Sequence, residues 1–132
     1  MRTINDIIIH CTATPAWMPV SVQDIDAWHR EMGFDEIGYH FVVTQDGTIY
    51  KGRDFNKIGA HCSGHNRGSI GIAYCGGIDE TGQPADTRSE AQKVALKALA
   101  DGLAIVFGAS IHGHNQYNQD KACPCFNVQT DL

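Results

Sequence analysis

The chain has little positive charge. Its ten lysines and arginines are outnumbered by fifteen acidic residues, giving a formal net charge of −5, whereas a duplex-binding surface needs a basic stripe to displace counterions from phosphates. Nucleic acid is therefore not an expected partner. Long apolar runs are also missing. The longest, Leu103 to Phe107, falls far short of the roughly 20 residues that cross a bilayer, so no membrane association is expected. There is no low-complexity tract, internal repeat or linker-like stretch, which leaves a single expected domain over residues 1–132. A chain of that length buries about two-thirds of its unfolded surface around one core without disulfides. The opening MRTINDIIIH has one arginine and only three consecutive isoleucines, unlike a secretory leader. Cytoplasmic synthesis without a signal peptide is the expectation. Five cysteines, Cys11, Cys62, Cys75, Cys123 and Cys125, are an odd number, and a reducing compartment favours metal binding or burial over a disulfide framework.

What is present reads as α/β. The run DIIIH (6–10) predicts a buried central strand, ended by the two prolines of CTATPAWMP. Ser21 with Asp24 starts a helix whose apolar face carries Val22, Ile25, Trp28 and Met32 before Gly33 stops it. Two β-rich runs joined by Asp46-Gly47 predict a hairpin, with Tyr39, Phe41 and Val43 on one face and His40 on the other. SIGIAYCGG (69–77) reads as a second buried strand. Thr87 and Glu90 form a capping box for a long helix that carries Leu96, Leu99 and Leu103 to Gly108, and ASIHG reads as a last short strand. The fold class is α/β: one domain with a central mixed β-sheet flanked by α-helices.

Histidines gather at strand ends: His10 after the first strand, His61 in IGAHCSGHN, and His112 and His114 after the last. Such ends are where α/β sheets usually bind ligands. A catalytic zinc takes three protein ligands and leaves one position open, and His10, His114 and Cys123 would supply them. Spacing alone leaves this undecided, because the three are far apart in sequence. The stretch KACPCF, with two cysteines around a proline, leaves a disulfide corner, a zinc site and a redox pair all open. No Cys-x-x-Cys stands nearby to favour the last.

Six collinear stretches, IIIHCTAT, GYHF, DGTIYKGRD, SIGIAYCGGID, IHGHN and KACPCF, resemble the successive motifs of the zinc-dependent N-acetylmuramoyl-L-alanine amidases. These belong to the superfamily that includes phage T7 lysozyme and the peptidoglycan-recognition proteins. The likeness runs from about residue 5 to 127. It implies one zinc ion per chain held by His10, His114 and Cys123, with Tyr39 and Lys121 assisting catalysis in a surface groove. It further implies hydrolysis of the amide between N-acetylmuramic acid and the L-alanine of the stem peptide. The partner is then peptidoglycan, reached after release of a monomeric, endolysin-like enzyme to the cell wall. The segment between His114 and Cys123 is one residue longer than the pattern, which leaves His112 as an alternative to His114. The glycine-flanked setting favours His114.

Residues outside those motifs are read locally. His61, Asn66 and Arg67 lie on a glycine-rich loop suited to substrate contact. Cys11, Cys62 and Cys75 are expected as small buried hydrophobes, and Cys125 as a packing residue beside a ligand. His29 and His65 are expected at the surface. Two other functions compete with the enzyme: a recognition protein that binds muropeptide without cutting it, and an interaction module stabilised by a fully enclosed zinc.

Overall fold

Three consecutive isoleucines can all be buried only where both faces of a strand are covered. In the computed structural model, which describes residues 2–132, Asp6–Cys11 forms β1 with all six residues buried. The chain continues through the two-residue β2 (Thr14–Pro15), α1 (Val22–Glu31), β3 (Phe41–Val43) and β4 (Ile49–Lys51). Then come β5 (Ser69–Tyr74), β6 (Gly77–Ile78), α2 (Glu90–Phe107), β7 (Ser110–Gly113), α3 (His114–Tyr117) and α4 (Val128–Asp131). The main sheet has the order β4-β3-β5-β1-β7, and β2 pairs with β6 in a small second sheet. Only the β3–β4 hairpin is antiparallel within the main sheet, so the sheet is mixed, as expected. The chain is one compact α/β domain.

The period of two along each strand divides the side chains between two layers. Ile7, Ile9 and Cys11 of β1 and Ile70, Ile72 and Tyr74 of β5 pack with Leu96 and Ala100 of α2 in the larger core. Val42 of β3 packs with Ile25 of α1, Ile37 and Cys75 in the smaller one. Asp6, Ile8 and His10 alternate with the first set, so His10 emerges on the face away from α2.

Two local expectations change. The cap of α2 is Ser89, whose hydroxyl accepts from Gln92 N–H while the Gln92 side chain accepts from Ser89 N–H. Thr87 instead accepts from Gly77 N–H at 2.8 Å. Both positions satisfy the capping pattern, and burial decides between them: Gln92 is fully buried and donates to the carbonyls of Val43 and Cys75 at 3.3 and 2.9 Å. On α1 the capping box of Ser21 and Asp24 is present as expected, but only Ile25 is buried. Met32 is 68% exposed, where the end of this helix borders an open groove, and Trp28 is 37% exposed. At the hairpin tip Gly47 has φ +83°, and a Cβ there would stand 2.8 Å from the Ala91 carbonyl oxygen, so the turn seats against the start of α2.

Candidate metal centre

Parallel pairing builds the site. Strands β1 and β7 run side by side with Ile9 opposite Gly113, so the next residue of each, His10 and His114, leave neighbouring strand ends together. Although 104 residues separate them, their Nδ1 atoms face each other at 3.2 Å. The C-terminal loop brings in Cys123, whose Sγ lies 3.8 Å from His10 Nδ1 and accepts the backbone N–H of Cys11 at 3.2 Å. All three ligand atoms lie within 4.8 Å of one another. Around a tetrahedral zinc, bond lengths of about 2.0–2.1 Å to nitrogen and 2.3 Å to sulfur imply separations of about 3.3 Å (N···N) and 3.6 Å (N···S). The two separations from His10 Nδ1 lie close to these values, and the donor set can hold a metal ion. Burial, then the neighbouring His61 and His114, push the pKa of His10 well below its ordinary value. Burial, then the Lys121 charge, lower that of His114. Both rings are therefore neutral at pH 7, as ligation requires.

His112 points elsewhere. Its Nδ1 lies 2.8 Å from Asp6 Oδ1 and 3.1 Å from the Tyr117 hydroxyl, which also bonds Asp6. The geometry thus groups His114, and not His112, with His10 and Cys123. Cys125 likewise faces away from the group, its Sγ 3.9 Å from Cys11 Sγ and 3.5 Å from the Gly77 carbonyl oxygen. Cys11, Cys62 and Cys75 are buried free thiols.

His114 opens onto a groove of about 620 Å³ also lined by His29, Met32, Phe34, Tyr39 and Lys121. Tyr39 does not share a face with Phe41 and Val43. It precedes β3 and packs with the Val42 cluster, its ring centroid 5.2 Å from that of His10. The strand period fails here because regular pairing begins only at Phe41. His40, fully buried, accepts Gly71 N–H on Nδ1 at 3.0 Å and reaches the Lys57 carbonyl oxygen through Nε2 at 2.8 Å. It is a structural group. His29 is half-buried rather than at the surface: its Nδ1 accepts Gly38 N–H at 2.8 Å, and its ring lies 5.3 Å from Tyr39. His65 is exposed, with its ring stacked on Tyr117 at 3.9 Å.

The three loop residues part company. His61 lines the groove and turns its ring toward the first strand, its Nδ1 2.8 Å from His10 Nε2. Asn66 borders the groove, but its Oδ1 accepts the N–H groups of His61 and Cys62, both at 2.9 Å. Arg67 lies in a separate depression of about 430 Å³ with Arg2 and Asp6. The seat of His61 exists because β5 carries a glycine beneath it: a Cβ on Gly71 would stand 2.6 Å from the imidazole. Gly71→Ala is accordingly expected to destabilise the fold by about 1–3 kcal/mol, read as a lower denaturant midpoint at unchanged slope. An unchanged midpoint would mean that the ring can move aside freely.

Known proteins resemble the chain along nearly its whole length. A family model described as N-acetylmuramoyl-L-alanine amidase matches residues 1–126. The endolysin of Klebsiella phage KP32 is 40% identical over 126 residues, covering 95% of this chain and 83% of the relative. The endolysin of Escherichia phage T7 is 38% identical over 129 residues, covering 97% and 85%. Among solved structures, the N-acetylmuramoyl-L-alanine amidase LysC from Clostridium intestinale superposes with a TM-score of 0.81 at 31% identity, covering 96% of this chain and 79% of that one.

Proposed function

The chain belongs to the N-acetylmuramoyl-L-alanine amidase family and is a peptidoglycan amidase, and from that premise we propose that it works with one zinc ion held by His10, His114 and Cys123. The observation that carries the ligand set is the convergence of two neutral imidazoles and one thiol at tetrahedral spacing, with the groove left open beside them. Open access favours catalysis over an enclosed structural zinc. The presence of the cysteine favours it over recognition alone.

Hydrolysing an amide needs a nucleophile at neutral pH and compensation for the negative charge that collects on the carbonyl oxygen. Zinc, when bound, supplies Lewis acidity toward both water and the carbonyl. The chain's own residues do the rest. Tyr39, whose phenol is pushed well above its ordinary pKa chiefly by burial, stays protonated and donates its hydroxyl to the developing oxyanion. Lys121 at the groove margin brings a positive charge to the same atom or a proton to the leaving amine. Met32 and Phe34 offer apolar surface along the groove for the bound muropeptide.

Digestion of purified peptidoglycan followed by mass spectrometry tests this reading. The expected products carry new free amino groups on L-alanine and no new reducing sugar ends, and a chelator should abolish their release until zinc is restored. New reducing ends would identify a glycosidase. Binding without any cleavage would identify a recognition protein.

A further inference from the structure

We infer that His61 is a positioning residue for the metal centre, accepting the Nε2 proton of His10 so that His10 Nδ1 is left bare toward His114 and Cys123. The inference rests on the ligand set proposed above. A neutral imidazole carries one proton on one of two nitrogens. Nδ1 of His10 is the atom 3.2 Å from His114 Nδ1 and 3.8 Å from Cys123 Sγ, so ligation requires the proton on Nε2. The group facing Nε2 is His61 Nδ1 at 2.8 Å. To accept there, His61 must carry its own proton on Nε2, and that atom faces Ser69 Oγ at 3.3 Å. The Ser69 hydroxyl accepts it and turns its hydrogen toward the Asn66 carbonyl oxygen at 3.5 Å. One direction of donation, His10 to His61 to Ser69 to backbone, is thus compatible with a bare Nδ1 on His10.

The surroundings hold that order in place. His10 is 1% and Ser69 0% exposed, so both ends of this series of bonds are shielded, while His61 between them borders the groove. Glycines at 59 and 71 clear the space of the His61 ring, since a Cβ at either would stand 2.7 or 2.6 Å from it. Asn66 ties the His61 backbone at 2.9 Å. His40 meets His61 only ring edge to face, at 5.8 Å and 80°, because its own nitrogens serve Gly71 and Lys57. Both ring nitrogens of His61 therefore have partners inside the protein, although the residue also lines the groove. Beside the substrate-contact role expected from its glycine-rich loop, His61 thus takes on one of orienting a ligand, which elsewhere is worth about 10- to 100-fold in metal affinity.

The test is zinc affinity by chelator competition for the wild type, His61→Leu, His61→Asn and Ser69→Ala, with imidazole NMR of the zinc-loaded proteins. A carboxamide oxygen at position 61 can stand where Nδ1 stood and still accept. The expected result is zinc binding about 10- to 100-fold weaker in His61→Leu, recovery of most of that loss in His61→Asn, and a slowly exchanging His10 Nε2 proton in the wild type that is lost in His61→Leu. Should His61→Leu fail to fold by circular dichroism, Ser69→Ala carries the test, with a smaller loss of affinity and faster exchange of the His61 Nε2 proton. Equal affinity in His61→Leu and wild type, no recovery in His61→Asn, or wild-type affinity and exchange in Ser69→Ala would overturn the inference while leaving the ligand set standing. A wild-type protein that takes up no zinc would sink the ligand set, and this inference with it.

Discussion

Cys123→Ser is expected to lose most of its zinc and nearly all amidase activity, whereas Cys125→Ser keeps both. The two residues stand one apart in KACPCF, and their surroundings separate them. Cys123 Sγ shares its space with two imidazole nitrogens and accepts a backbone N–H. Cys125 Sγ packs against Cys11 and Gly77, and burial, reinforced by Cys11, pushes its thiol up to about 12. It stays protonated at neutral pH and is a poor ligand. A serine hydroxyl is a much weaker donor to zinc than a thiolate, so the loss in Cys123→Ser should exceed the roughly 10- to 100-fold that follows removal of a ligand's outer partner. Cys125→Ser should cost stability alone, on the order of 1 kcal/mol. Metal content and peptidoglycan digestion on the two variants check this, and loss of zinc from Cys125→Ser would reverse the assignment.

The same loop shows where the sequence could be read and where it could not. Strands β1, β5 and β7 and the start of α1 were legible because each is a local pattern: a β-branched run, a buried alternation, a capping box. The pairing of His10 with His114 was legible only through the family resemblance and not from local pattern, since it depends on the parallel register of β1 against β7, a tertiary fact that no spacing within either segment encodes. That register also turns His112 toward Asp6. Tyr39 was misplaced because the two-residue period was carried back past the true start of β3 at Phe41. The cap of α2 moved from Thr87 to Ser89 because two overlapping patterns fit equally well, and only the need of buried carbonyls on Val43 and Cys75 for the Gln92 amide distinguishes them. His61 drew attention as a loop histidine among glycines. What those glycines do, which is clear room for its ring beside His10, became visible only with the strands assembled.

Tyr39→Phe and Lys121→Ala are each expected to lower kcat by about a hundredfold, the usual cost of losing one oxyanion donor or proton-transfer group, while bound zinc stays at one per chain. Neither side chain belongs to the donor set of His10, His114 and Cys123, so neither substitution should release the metal. Tyr39 keeps its ring and its contact with His10 when it becomes Phe, which isolates the hydroxyl. Lys121 is exposed at the margin of the groove, so its removal leaves no cavity, and the fall in rate reports the lost charge. Its charge lies near enough to the site to lower the pKa of His114, second to burial. Because the two groups serve one developing charge, the double variant should lose less than the product of the single losses. If both interactions form only in the transition state, KM moves little while kcat falls. Unchanged kcat in both variants, measured on soluble muropeptide with metal content determined in parallel, would reduce Tyr39 to a packing residue and Lys121 to a solvated one.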